Sequence, residues 1–237
     1  MELTSVVCLA NSKKQGGNCF AGIELDDGWP AGWVRPIGRG SGHGVSVRER
    51  QLADGREPRP LDVISIALSG PAPWGHQGEN WDLDPSVAWE KIGTWAYDDL
   101  DALVDPPDAL WTDAESSSVG TRDRVPVECL VPAGESIHLI RPGQAELRVA
   151  RNPYSRTGEI EVRVSFEYAE AHHLIKVSDP IYKDWYLREG IGTYELPETY
   201  LTVSLAEPWA HTPGDPQYSY IVAAAIIEPD GLPGASR

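Results

Sequence analysis

Val6-Val7-Cys8-Leu9-Ala10-Asn11-Ser12-Lys13-Lys14-Gln15-Gly16-Gly17-Asn18-Cys19-Phe20-Ala21-Gly22-Ile23, closing at Gly32-Trp33-Val34-Arg35-Pro36-Ile37, reads as strand, polar loop, strand, turn and strand. Residues 6–9 are a short apolar run, Asn11 to Asn18 is a turn-forming cluster, and Phe20 to Leu25 resumes strand character. Asp26-Asp27-Gly28 signals a tight turn, and Arg35 is held extended by the proline after it. The polar loop carries amides, a hydroxyl, two lysines and two glycines, which suit it to an anion or a base edge. The plain alternative is a solvated hairpin loop.

Outward from this stretch the strand pattern repeats. Gly38 to Pro60 is a long polar loop rich in Gly, Ser and Arg, a length that points to function or mobility. Leu61 to Leu68 is a strand, and His76-Gln77-Gly78-Glu79-Asn80-Trp81 is a polar cluster just beyond its end. Asp84-Pro85 predicts a helix start, with Val87, Ala88 and Ile92 as its apolar face, and a second short helix is expected over Asp98 to Val104. Thr112 to Asp123 is the candidate linker. Beyond it, Glu128 to Val131, Ile137 to Arg141, Leu147 to Ala150, Ile160 to Tyr168 and Ala171 to Val177 are strand-like. Alternation at Ile160, Val162, Val164 and Phe166 puts Glu161, Arg163 and Ser165 on the opposite face. Asp179-Pro180 opens a mostly helical or irregular segment to Glu198. Leu201 to Leu205 and Tyr220 to Glu228 are the final strands, and Pro229 to Arg237 is expected to fray. The pattern is mainly β and antiparallel, with helix mostly confined to 84–113 and 180–198. It divides into an N-terminal half, residues 1–123, that includes the acidic helical connector, and a C-terminal half, residues 124–237.

Composition narrows the function. The chain has 237 residues and a net charge of −16, so a nonspecific binder of bulk duplex DNA is disfavoured, because such binding depends on neutralising phosphates. The charge is uneven. Residues 35–59 hold six Arg against three acids, residues 141–163 five Arg against three, and residues 79–115 eleven acids against one Lys. Local basic stretches in an acidic background favour a focused site for a small anionic ligand over a long polynucleotide groove. The acidic stretch offers a docking face for a basic protein partner. Nine Trp suit shallow cores and stacking surfaces. Three cysteines without a CxxC spacing give neither a disulfide framework nor a zinc site and suit a reducing, cytoplasmic location. No signal peptide is evident, and no apolar run approaches ~18 residues, so no membrane association is expected.

Val7 to Lys14, Gly17 to Gly22, Trp33 to Ile37, His76 to Asn80, Lys176 to Pro180, Val203 to Pro208 and Tyr218 to Ile227 together, and in this order, resemble the bacterial dual OB-containing domain proteins. The resemblance runs along nearly the whole chain. It implies two five-stranded OB-type barrels packed together and a nucleic-acid or nucleotide-binding role. The chain departs from the pattern at Ala206, where glycine is usual, and in a lengthened segment over 210–217.

The polar residues of these motifs are the candidate ligand-binding set: Asn11, Ser12, Lys13, Arg35, His76, Gln77, Glu79 and Asn80, with Trp33, Trp81 and also Trp74 as stacking faces. They are expected to converge on one concave surface, Arg35 supplying charge and Asn11 and Gln77 hydrogen bonds. Arg35 has a structural alternative, a pair with Glu24 or Asp62, and a buried pair with a carboxylate would end this site hypothesis and move weight to the protein-interaction reading. Trp33 has the alternative of a core position. No histidine pair has common metal-ligand spacing, no nucleophile elbow or Walker loop is present, and no cofactor motif is identified. The expected function is a non-catalytic module for a nucleotide or a single-stranded nucleic-acid segment. The alternatives are a protein-interaction subunit with an acidic docking face and, third, an enzyme.

Overall fold

A computed structural model of the chain describes residues 2–14, 17–38, 43–210 and 212–232. They form two compact units, Met1–Val104 with Val131–Ile137, and Asp105–Leu130 with His138–Arg237. The expected division at residue 123 lies inside the second unit. Among the described residues no helix is long and apolar enough to cross a membrane.

The first unit is a closed five-stranded barrel. Its strands are β1 (Glu2–Lys14), β2 (Gly17–Asp26), β3 (Trp29–Ile37), β4 (Asp62–Pro71) and β5 (Asn80–Leu83), in the order β1-β2-β3-β5-β4 with β4 returning to β1. β3 and β5 are parallel and the other pairs antiparallel. The strand pleat turns Val6, Cys8, Phe20, Val34, Ile64, Ile66, Leu68 and Leu83 into one core, joined by Trp89, whose ring meets Phe20 edge-on at 4.7 Å. Cys8 is accordingly a core residue. The four-residue helix α1 (Val47–Arg50) starts at a capping box in which the Glu49 N–H donates to Ser46 Oγ and the Ser46 N–H to Glu49 Oε2.

Two expectations are corrected here. Asn11 to Asn18 is mostly not loop: β1 and β2 continue through it, pairing Asn11 with Phe20, Ser12 with Cys19, Lys13 with Asn18 and Lys14 with Gly17. Gln15 and Gly16 lie outside the described residues. The expected helix from Asp84 is absent. Asp84 Oδ1 accepts from the Ser86 N–H at 3.0 Å and the Ser86 hydroxyl at 2.6 Å, a local turn that competes with helix. Trp89 is buried and Ile92 exposed, and Glu90–Thr94 forms β6 against β4. The second short helix is present, as a 3-10 helix over Tyr97–Leu103 that buries Leu100 and Leu103.

The second unit repeats the order with an interrupted first strand. β7 (Arg124–Pro126) pairs with β14 (Tyr218–Ile227). β8 (Ile137–Ile140) and β9 (Ala145–Arg151) follow one another across Pro142-Gly143, β8 pairing with β13 (Tyr200–Leu205) and β9 with β10 (Ile160–Tyr168). β11 (Ala171–Val177) is antiparallel to β10 and parallel to β14, and β14 is antiparallel to β13. This is the same parallel third-to-fifth seam as in the first unit. The helix α2 (Pro180–Glu189) follows β11, with proline in its first turn and Asp179 accepting from the N–H groups of Ile181 and Tyr182. β12 (Gly192–Glu195) flanks β9. Val162, Val164 and Phe166 face the core as the alternation predicts. Glu128 to Val131 is not a strand: Val127–Cys129 forms a 3-10 turn. The candidate linker is an ordered loop, with buried Asp123 accepting from the N–H and hydroxyl of Ser117.

Candidate ligand-binding site

Beyond the barrel core, β1 ends in Asn11, Ser12 and Lys13. Asn11 is committed within the protein. Its Nδ2 donates to the Pro58 carbonyl at 2.8 Å, and its Oδ1 accepts from Arg50. Arg50 is buried, pairs with Glu57 at 2.8 Å, and has its pKa lowered by that burial. These contacts clamp the segment after α1 onto β1. Ser12 is buried and Lys13 exposed.

Arg35, Gln77, Glu79 and Asn80 lie in buried hydrogen-bonded contacts along the β3–β5 seam rather than on an open surface, and His76 is buried. Register pairs Arg35 with Asn80 on the β3–β5 seam. Arg35 Nη2 lies 2.6 Å from Glu79 Oε1 and donates to Ser136 Oγ at 3.2 Å, and Ser136 in turn donates to Glu79. Asn80 Nδ2 donates to Gln77 Oε1 at 3.2 Å. The segment Val131–Ile137 covers the network. Its Ala133 N–H donates to the Gly75 carbonyl at 2.8 Å, and its Gly134 carbonyl accepts from the Gly78 N–H at 3.1 Å. A Cβ on Gly78 would stand 2.5 Å from the Ala133 carbonyl oxygen, so glycine is required for this approach. The expectation that Arg35 carries charge toward a ligand is therefore corrected. It pairs with Glu79, with both side chains at most 7% exposed. Asp62 pairs instead with Lys91. Trp33 and Trp81 are half-buried, and Trp81 packs against the core.

Two register steps along the same seam the surface opens. There Ile37 pairs with Asp82, which is exposed. They line a cleft of about 450 Å³ with Gly38, His43, Ala72, Pro73 and Trp74. Trp74 is 44% exposed, and its ring meets the His43 imidazole at 4.6 Å with the planes 39° apart. Trp74 is placed by a two-residue hairpin: it exchanges both backbone hydrogen bonds with Gln77, and Gly75 supplies the φ of 57° the turn needs. His43 also has a positive φ of 53° and is fixed through Val45, which exchanges backbone hydrogen bonds with Asn18. Asn18 is the register partner of Lys13. Lys13 thus stands two strand spacings, about 10 Å, from Val45. The loop between β4 and β5 reaches this cleft through Ala72, Pro73 and Trp74. Sequence reasoning missed His43 and Asp82. Gly-His-Gly at 42–44 within a long polar loop was the available signal for the first, while Asp82 resembles any polar strand residue.

Two barrels with a parallel third-to-fifth strand seam define an OB-type protein, a fold whose second and third strands and whose loops 1–2 and 4–5 commonly carry oligonucleotides and oligosaccharides. The chain belongs to the dual OB-containing domain family, whose model matches residues 4–226. No curated protein matches it. Among solved structures it is similar to the tetrameric p202 HIN2, at 10% identity over 96% of this chain and 93% of that one, with a TM-score of 0.28, too low to carry a functional argument.

Proposed function

We propose that this chain is a non-catalytic module that binds a nucleotide or the end of a single-stranded nucleic acid through the cleft of its first unit. The observation that carries the reading is the Trp74–His43 ring pair lining an open cleft on the β4–β5 loop, one of the loops OB-type barrels use for ligands. A base stacks on the exposed indole, and base–aromatic stacking tolerates any base. Lys13 is the one exposed member of the original polar set, and its charge supports a phosphate contact. The small cleft and the net charge of −16 fit one or a few nucleotides better than a long polymer track. Calorimetric titration with mononucleotides and a short single-stranded oligomer tests the reading. Saturable binding that Trp74→Ala weakens is expected, and no binding to any of them would overturn it.

A second reading is favoured by the Arg35–Glu79 pair, which withdraws a cation from the ligand set, and by the exposed acids Glu90, Asp98, Asp99 and Asp101 of β6 and the following 3-10 helix. In this reading the acidic surface docks a basic protein.

A further inference from the structure

Stacking alone does not choose a base, but the cleft contains one group that does. Asp82 lines it as the register neighbour of Ile37, and its carboxylate has no partner among the described residues. Strand alternation puts Asn80 and Asp82 on one face of β5 while Leu83 enters the core. Val131–Ile137 covers the network around Asn80 and leaves Asp82 open. An ionised carboxylate accepts hydrogen bonds and donates none, and it repels phosphate. Its two oxygens match two N–H donors side by side. Guanine presents such a pair on one edge, at N1 and the 2-amino group. Adenine and cytosine offer a single amino group there, and uracil a single imino N–H.

We infer that the cleft is selective for guanine, which stacks on the Trp74–His43 pair and turns its N1–H and 2-amino edge to Asp82. The phosphate then points away from Asp82. This inference rests on the nucleotide reading and adds the identity of the base.

The test is equilibrium binding of the 5′-monophosphates of guanosine, inosine, adenosine and cytidine to the full chain and to Asp82→Asn. Inosine keeps N1–H and lacks the 2-amino group. The guanosine nucleotide should bind tightest, by about tenfold or more over adenosine, since a bidentate base contact discriminates on that scale. Inosine should fall between them. Asp82→Asn should lose the preference while still binding, with an unchanged thermal midpoint because Asp82 is exposed. Equal affinity for all four nucleotides, or a guanine preference that survives Asp82→Asn, overturns the inference and leaves nucleotide binding standing. Absence of binding by every nucleotide overturns both.

Discussion

Arg35 Nη2 and Glu79 Oε1 are 2.6 Å apart, and Ser136, 57 residues further along the chain, bonds to both. The pair is a fastening for Val131–Ile137. Removing one partner of a buried ion pair leaves the other uncompensated and costs about 3–5 kcal/mol. Glu79→Ala and Arg35→Ala should therefore both lower stability by this order in urea denaturation. Any ligand affinity that remains in the folded fraction should be unchanged. A variant of normal stability with selectively lost binding would return Arg35 to the ligand set.

Gly78→Ala probes the same cover from the backbone side. The added methyl would meet the Ala133 carbonyl, and overpacking of this kind costs roughly 1–3 kcal/mol. Thermal denaturation should show the loss, and Gly28→Ala is the wrong control because Gly28 has a φ of 84°. Gly93→Ala is the better one, since its φ is unexceptional and a Cβ there meets Val63 at ordinary contact distance, 3.6 Å.

Much of the fold was legible because local pattern and tertiary role agree. Alternation over Ile160–Tyr168 gave β10 its limits, and Asp179-Pro180 opened the helical or irregular segment in which α2 lies. β6 was missed because Asp84-Pro85 carries a helix-start signature whose aspartate closes a turn instead, while burial of Trp89 decides the conformation beyond it. Among the candidate site residues, Arg35 meets Glu79 and Asn80 meets Gln77, while the burial of these contacts was not legible. Burial depends on Val131–Ile137, a contact that no local pattern around residues 76–80 reports. Asn11 was misread for the same reason, since its partners, Arg50 and Pro58, are distant in sequence.

The second unit holds two buried groups with opposed pH dependence. Burial pushes the Asp179 carboxyl up to about 6, against N–H bonds from Tyr182, Ile226 and Ile181, and burial pushes His173 down to about 4. Between pH 4 and 6 the unfolded aspartate is ionised and the folded one protonated, so this group makes stability fall as pH rises. Over the same range the unfolded histidine is charged and the folded one neutral, so it makes stability rise with pH. Asp179→Asn keeps a helix cap and removes the first effect. Its unfolding free energy should climb more steeply from pH 4 to 6 than the wild type's, by up to about 1.4 kcal/mol per pH unit. Parallel pH profiles of the two proteins would contradict this assignment.

Charge sets a limit on polymeric partners. At −16 overall, random duplex DNA should bind no more tightly than the ~10⁻⁴–10⁻⁶ M usual for nonspecific association at physiological salt. Fluorescence anisotropy with a labelled random duplex at ~150 mM salt measures this directly, and a sub-micromolar Kd would contradict it.

The most direct test of nucleotide binding at the Trp74–His43 cleft is a calorimetric comparison of wild type and Trp74→Ala with one short single-stranded oligomer. Loss of a stacking aromatic costs about 1–3 kcal/mol per base, so affinity should drop roughly tenfold or more. The thermal midpoint should stay within a few degrees of wild type, because the indole is 44% exposed and outside the barrel core. Equal affinity in the two proteins, or no measurable binding by the wild type, would contradict the account.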